Sequence, residues 1–151
     1  MAETVTVRSA APSEKDAWFS LWEGYVTFYG AEIPDDVSEN TWMRLLDPSE
    51  QMFCLVAETD DLGVIGIESY ILDLNTWTKA PVCYLEDLFV AETARNLGAG
   101  RALIDALGAK ARQEKWHRVY WMTDANNETA RKLYDKISPV TNWVRYDVST
   151  A

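Results

Sequence analysis

Apolar and polar positions change their period along this chain, and each change predicts an element. Val5–Ala10, "VTVRSA", alternates apolar and polar side chains and predicts a first strand. Pro12 and Ser13, followed by Glu14 and Asp16, form a helix start, because acidic groups favour the positive end of the helix dipole. Behind them Trp18, Leu21, Trp22, Tyr25, Phe28 and Tyr29 recur at spacings of three and four, so one helix runs to about Gly30. "EIPDD" interrupts the chain, and "VSENTWMRLL" predicts a second, shorter helix closed by Asp47-Pro48. The period then shortens. "QMFCLVAET" and "VIGIESYILDL" predict two strands joined as a hairpin by the turn Asp60–Gly63, and "VCYLEDLFV" predicts a further strand. A helix follows to about Gln113, then a strand in "HRVYWMT". "NNETARKLYDKI" is a helix capped by Asn126 or Asn127 and ended by Pro139, and "NWVRYDVST" is a last strand. The order β α α β β β α β α β places hairpins first and crossovers later, which predicts an α/β or α+β sheet covered by helices.

The chain has 151 residues, 48% of them hydrophobic and 25% charged, the balance of a globular fold of one domain's length. No repeat or Pro/Gly/Ser linker divides it, so residues 1–151 read as a single domain. Acidic side chains number 24 against 14 basic ones, a net charge of −10. That field repels nucleic acid and anionic membranes and tolerates a cationic small molecule; it also serves plain solubility. Cys54 and Cys83 lie in apolar stretches and read as buried free thiols. With His117 as the single histidine, no typical zinc site is expected, and the site is taken to hold no metal. The N-terminus has no long apolar run, so a cytoplasmic protein without signal peptide or spanning helix is expected.

Composition alone does not explain "ETARNLGAGRALI", where Gly98 and Gly100 stand at the start of a helical pattern. A glycine inside a helix costs about 0.5–1 kcal/mol relative to alanine. At a helix N-terminus, however, glycines let a ligand reach unpaired N–H groups at the positive end of the dipole. Arg95 and Arg101 add positive charge in an acidic chain. The stretch therefore reads either as a pyrophosphate-binding turn or as an ordinary flexible loop. The dinucleotide fingerprint fails, because its third glycine position is Leu103, and no P-loop run exists.

"YLEDLFVAETARNLGAGRALI" resembles the central motif of the GCN5-related N-acetyltransferase (GNAT) superfamily, [RQ]-x-x-G-x-[GA], with Arg95, Gly98 and Gly100 at its fixed positions. "WMTDANNETARKLYDKI" is similar to that family's next motif, with Asn127 and Tyr134 in the matching places. "LEDLFV" before the arginine turn most resembles the diamine and polyamine acetyltransferase branch. Two departures stand out: Asn96 follows the arginine where many relatives have glycine, and "DKISPVTNW" stands where many have Gly-Phe. The resemblance implies a mixed, mostly antiparallel central sheet flanked by helices. It further implies acetyl transfer from acetyl-CoA to a primary amine, by direct attack with both substrates bound.

From the resemblance, Arg95, Asn96, Leu97, Gly98, Ala99, Gly100 and Arg101 hold the pyrophosphate. The backbone of Leu88, Phe89 and Val90 pairs with the pantetheine arm as a strand would. A backbone N–H near Phe89 meets the charge developing on the thioester oxygen. Asn127 binds the cofactor's amide arm or simply caps its helix. Tyr134 protonates the leaving thiolate or packs against the sheet, and also lies against the cofactor. An unperturbed amine has a pKa of about 10.4, so a carboxylate must take its proton directly or through water. Glu86 is the candidate; it could instead anchor a cationic acceptor or form a salt bridge. Strict alternation puts Glu86 on one face with Tyr84 and Leu88, and Asp87 on the other.

The acceptor side is aromatic and acidic, with Trp22, Glu23, Tyr25, Tyr29, Glu32, Asp35, Asp36 and Glu39. Such surfaces suit a cation, although a helical aromatic stripe also builds core. The expected partner is a small amine or polyamine, and neither nucleic acid nor a membrane. The alternatives are a protein lysine or N-terminal acetyltransferase and a non-catalytic CoA-binding module. Dimers are common among relatives, and the last strand is a candidate homodimer interface.

Overall fold

The computed structural model describes residues 3–151. The chain resolves into two compact units, Met1–Trp121 and Met122–Ala151. The first holds β1 (Thr6–Ser9), α1 (Lys15–Phe28), α2 (Asp35–Leu46), β2 (Met52–Thr59), β3 (Gly63–Asp73), β4 (Val82–Val90), α3 (Ala99–Glu114) and β5 (Val119–Tyr120). Single 3-10 turns at Pro12–Glu14 and Glu92–Ala94 lead into α1 and follow β4. The second unit holds α4 (Glu128–Ile137) and the residues after it.

The five strands lie in the order β1-β2-β3-β4-β5. Every pairing is antiparallel except β4 with β5, which is parallel. This is the helix-covered sheet that the element order predicts, in the mixed, mostly antiparallel form that the resemblance implies. The hairpin β2–β3 closes where Gly63 takes φ 68°.

Helices cover both faces of the sheet, and strand alternation explains why. Cys54, Val56 and Ile67 face α1 and α2, where they meet Trp18, Leu21, Trp22, Trp42 and Leu45. Trp18 stacks on Trp22 at 5.1 Å, and the Trp22 indole N–H donates to the Ser38 hydroxyl at 3.0 Å. Residues of the opposite parity face α3, whose Leu103 and Leu107 are fully buried. Both cysteines are buried free thiols, pushed by burial up to about 12. The start of α1 is tied to the sheet by Arg8, which donates to Glu58 and Glu14; Glu14 also accepts from the Ala11 N–H at 2.7 Å. The guanidinium holds Glu14 below the usual carboxylate range.

One core side chain defies its surroundings. Glu68 on β3 is 0% exposed, and neither carboxylate oxygen has a hydrogen-bond partner. Burial pushes its pKa up to about 9, so it is a neutral acid at neutral pH.

Two expected strands change. "HRVYWMT" contributes only the two residues of β5. The last strand, "NWVRYDVST", is not formed: residues 142–150 have no ladder partner among the described residues, and their side chains are exposed. Alternation gives a segment two chemical faces, but a strand exists only where another strand completes its hydrogen bonds.

Candidate active site

The geometry of β4 organises the candidate residues of the first unit. Ser69 lies opposite Asp87, whereas the next residue of β3, Tyr70, lies opposite Leu85. β4 therefore carries one extra residue, Glu86, as a bulge. The expected facing is corrected by that bulge: Tyr84 and Leu88 end on opposite faces of the sheet, and Asp87 shares the α1 face with Tyr84. Glu86 itself is exposed. Asp87 is drawn inward beside Tyr25 of α1, and burial pushes its pKa up to about 6. A hydrogen bond from Tyr25 offsets part of that shift, and the neighbouring Glu86 charge adds to it. Asp87 and Tyr25 were not expected as a pair, because nothing in the sequence announces the bulge that turns Asp87 inward.

Beyond the bulge β4 has an open side. β5 pairs with it only at Cys83–Val119 and Tyr84–Tyr120. From Leu85 to Val90 no strand lies on the side away from β3 among the described residues. Leu88, Phe89 and Val90 thus offer backbone donors and acceptors to an extended ligand. The Phe89 ring is wedged against α1. A Cβ added at Gly24 would stand 2.8 Å from the ring's Cε2, so this helix approaches the strand only because position 24 is glycine. Arg95 places its guanidinium 5.9 Å from the same ring.

The strand leads into the glycine-bearing turn. Asn96 has φ 71° and Gly98 has φ 81°, two left-handed residues in quick succession. Asn is among the few side chains that enter this region readily, which accounts for its tolerance where a glycine is commoner. α3 starts at Ala99, and its first ladder bond runs from the Ala102 N–H to the Gly98 carbonyl at 2.9 Å. The amides of Ala99, Gly100 and Arg101 precede that ladder. A Cβ at Gly98 would meet nothing within 4 Å, so the space beside it is open. Ala99 is buried and anchors the turn, and Leu97 is partly exposed. Arg101 pairs with Asp105 one turn on, at 3.0 Å. Left-handed residues beside a helix N-terminus curl backbone N–H groups around an anion, so these residues fit a diphosphate.

The second unit carries the other two candidates on α4. Asn127 is its N-cap, with the side-chain oxygen accepting from the Ala130 N–H at 3.2 Å. Tyr134 lies two turns along the same helix and is half-buried. The aromatic stripe of α1 divides: Trp18 and Trp22 are core, Tyr25 stands by Asp87, and Phe28 and Tyr29 are 59% and 57% exposed at the helix end. Glu23, Glu32, Asp35 and Asp36 are exposed, while Glu39 pairs with Lys15 at 2.8 Å.

Comparison with known proteins agrees with this architecture. The acetyltransferase (GNAT) family pattern matches residues 16–138. A D-amino-acid N-acetyltransferase of Saccharomyces cerevisiae, HPA3, is 33% identical over 145 residues, covering 95% of this chain and 90% of the relative. A crystal structure of a probable acetyltransferase superposes with a TM-score of 0.85 at 21% identity, over 97% of this chain and 98% of the other. The aminoglycoside N-acetyltransferase AAC(6')-Iy in complex with CoA shares the fold with a TM-score of 0.81 at 18% identity, over 100% and 98% of the two chains. The chain belongs to the acetyltransferase (GNAT) family and is an acyltransferase of the N-acetyltransferase kind.

Proposed function

We propose that this enzyme moves the acetyl group of acetyl-CoA to a primary amine of a small cationic acceptor, a diamine or polyamine, with the whole chain acting as one acetyltransferase domain. The observation that carries the cofactor reading is the open side of β4 running directly into the left-handed turn Asn96–Gly98. Acetyl-CoA supplies an activated acyl thioester. Leu88, Phe89 and Val90 hold its arm by backbone pairing, and the amides from Asn96 to Arg101 hold its diphosphate, with Arg95 and Arg101 adding charge. A backbone N–H near Phe89 stabilises negative charge on the carbonyl oxygen. Glu86, exposed at the bulge, takes the proton from the acceptor ammonium, directly or through water. The amine nitrogen bonds to the acyl carbon as the carbon–sulfur bond breaks. Tyr134 gives its proton to the departing sulfur and is reprotonated, through solvent, by the second proton that the acylated nitrogen sheds, and Asn127 orients the amide arm.

The acceptor reading rests on the exposed aromatic and acidic end of α1 and the segment after it, which favours a polycation over a zwitterion. The similarity to a D-amino-acid N-acetyltransferase favours a second reading, transfer to the α-amine of an amino acid. Release of free thiol from acetyl-CoA with spermidine, putrescine, lysine, D-amino acids, an aminoglycoside and a basic peptide separates these. Spermidine or putrescine is expected to give the highest kcat/KM. Preference for D-amino acids supports the second reading, preference for the peptide a protein acetyltransferase, and no release with any amine a non-catalytic CoA-binding module.

A further inference from the structure

The open side of β4 is bounded at both ends. A Cβ built at Gly66 would lie 3.3 Å from the Leu103 side chain, one turn into α3, and 3.4 Å from that of Val90, so the start of α3 stands at the Val90 end. At the other end β5 closes the side. The Cys83 N–H donates to the Arg118 carbonyl and the His117 N–H to the Pro81 carbonyl, both at 2.8 Å, and the last facing pair is Tyr84 with Tyr120. Their half-buried rings stack, with centroids 5.1 Å apart and 29° between the planes. The Arg118 guanidinium lies 5.5 Å from the centre of the Tyr120 ring and adds a cation–π contact. Tyr84 stands opposite Ile71, which shares its parity with Ile67, so the stack lies on the face of the sheet that carries Asp87.

The length of the open side acts as a ruler. Coenzyme A carries about a dozen bonds between its diphosphate and its sulfur, the length of about four extended residues, or roughly 13 Å. Laid along β4 from the Val90 end, that arm brings the sulfur to the neighbourhood of the bulge at Glu86. The acyl group beyond the sulfur then heads for the Tyr84–Tyr120 stack, about two residues or roughly 7 Å from the bulge. An acetyl group ends short of the rings, and a hexanoyl chain, four carbons longer, runs into them. Two stacked rings tied to a guanidinium yield little, because moving one gives up the contacts of both.

Resting on the reading that the cofactor lies along β4, we infer that the Tyr84–Tyr120 stack is the end stop that restricts the acyl donor to short-chain acyl-CoA. The two rings act by shape. Arg118 is a positioning residue that holds Tyr120 in the stack. Replacing either ring by a methyl group lengthens the slot at the place where a longer acyl chain needs it.

Titration calorimetry of the full chain with coenzyme A, acetyl-CoA, butyryl-CoA and hexanoyl-CoA tests the inference without any acceptor amine. Free coenzyme A reads the cofactor site by itself; if it does not bind, the cofactor reading falls and the inference with it. The wild type is expected to bind hexanoyl-CoA at least about tenfold more weakly than acetyl-CoA, with butyryl-CoA between them. Tyr120→Ala and Tyr84→Ala are each expected to bring acetyl-CoA and hexanoyl-CoA within about threefold of each other. Tyr120→Phe, which keeps the ring, is expected to keep the wild-type ratio, and Arg118→Gln to give an intermediate one. The readout is a ratio of two donors on one protein, so a general loosening that weakens both does not imitate it. A wild type that binds acetyl-CoA and hexanoyl-CoA equally, or alanine variants that both keep the wild-type ratio, would overturn the end stop while coenzyme A binding still stood. An Arg118→Gln ratio equal to the wild type would remove Arg118 from the inference.

Discussion

A carboxyl group with no exposure and no hydrogen-bond partner, as at Glu68, keeps its proton well above the ordinary carboxylate range. Its pKa in the fold is about 9, against 4.5 ordinarily. The folded state therefore binds this proton more tightly than the unfolded chain does. The stabilisation is complete below the unfolded value and is lost as pH rises through the folded one, with a slope of at most about 1.4 kcal/mol per pH unit for one proton. Asp87 acts in the same direction over a lower window, from 3.8 to about 6. Urea unfolding between about pH 6.5 and 8.5 is thus expected to show falling stability, and Glu68→Gln is expected to flatten that slope. Identical slopes in the two proteins would contradict the assignment of Glu68 as a neutral buried acid. Tyr134 makes a different prediction. Tyr134→Phe removes one hydroxyl from α4, and it is expected to leave CoA affinity unchanged while lowering kcat at least about tenfold. Unchanged turnover would remove Tyr134 from proton transfer. The neighbouring carboxylates of β4 mark a limit to reading side chains from sequence. Counting by twos groups Tyr84 with Glu86 and Leu88, but the bulge at Glu86 puts Tyr84 on the face of Asp87 and Leu88 on the other. A bulge is set by how two strands meet, so one strand's residues do not announce it.

Elements whose residues carry their own reason to form were legible. The three-and-four spacing of Trp18, Leu21, Trp22 and Tyr25 corresponds to α1, the turn before Gly63 to the β2–β3 hairpin, and Asn127 to the cap of α4. The turn before α3 was legible as a choice between a phosphate cradle and a loop. Its left-handed residues at Asn96 and Gly98, and its ladder beginning only at the Gly98 carbonyl, favour the cradle. Elements that depend on a distant partner were not legible. β5 is a two-residue contact because β4 and β5 part after Tyr84, and that parting leaves the side of β4 open. The segment 142–150 has a strand's alternation and no strand beside it among the described residues. In each case the sequence specifies faces, and the neighbour decides whether a strand results.

The molecule as a whole carries a charge of −10, yet places Arg95 in the turn that precedes α3 and Arg101 in the first turn of that helix. An anion bound at that turn would meet cations and backbone dipoles locally, and the negative mean field would attract a cationic acceptor. Membership in the acetyltransferase (GNAT) family fixes the reaction class, and the acceptor depends on surfaces that relatives of the same fold vary. The claim on which the proposed mechanism most depends is that the Asn96–Arg101 turn binds the diphosphate of coenzyme A. Titration calorimetry of coenzyme A into the wild type and Gly98→Asp tests it. Asp tolerates the left-handed region better than most residues, so the variant is expected to keep the wild-type circular dichroism spectrum. Its carboxylate would project into the space the anion needs. The account predicts binding to the wild type and none measurable to the folded variant; equal affinity in the two would contradict it.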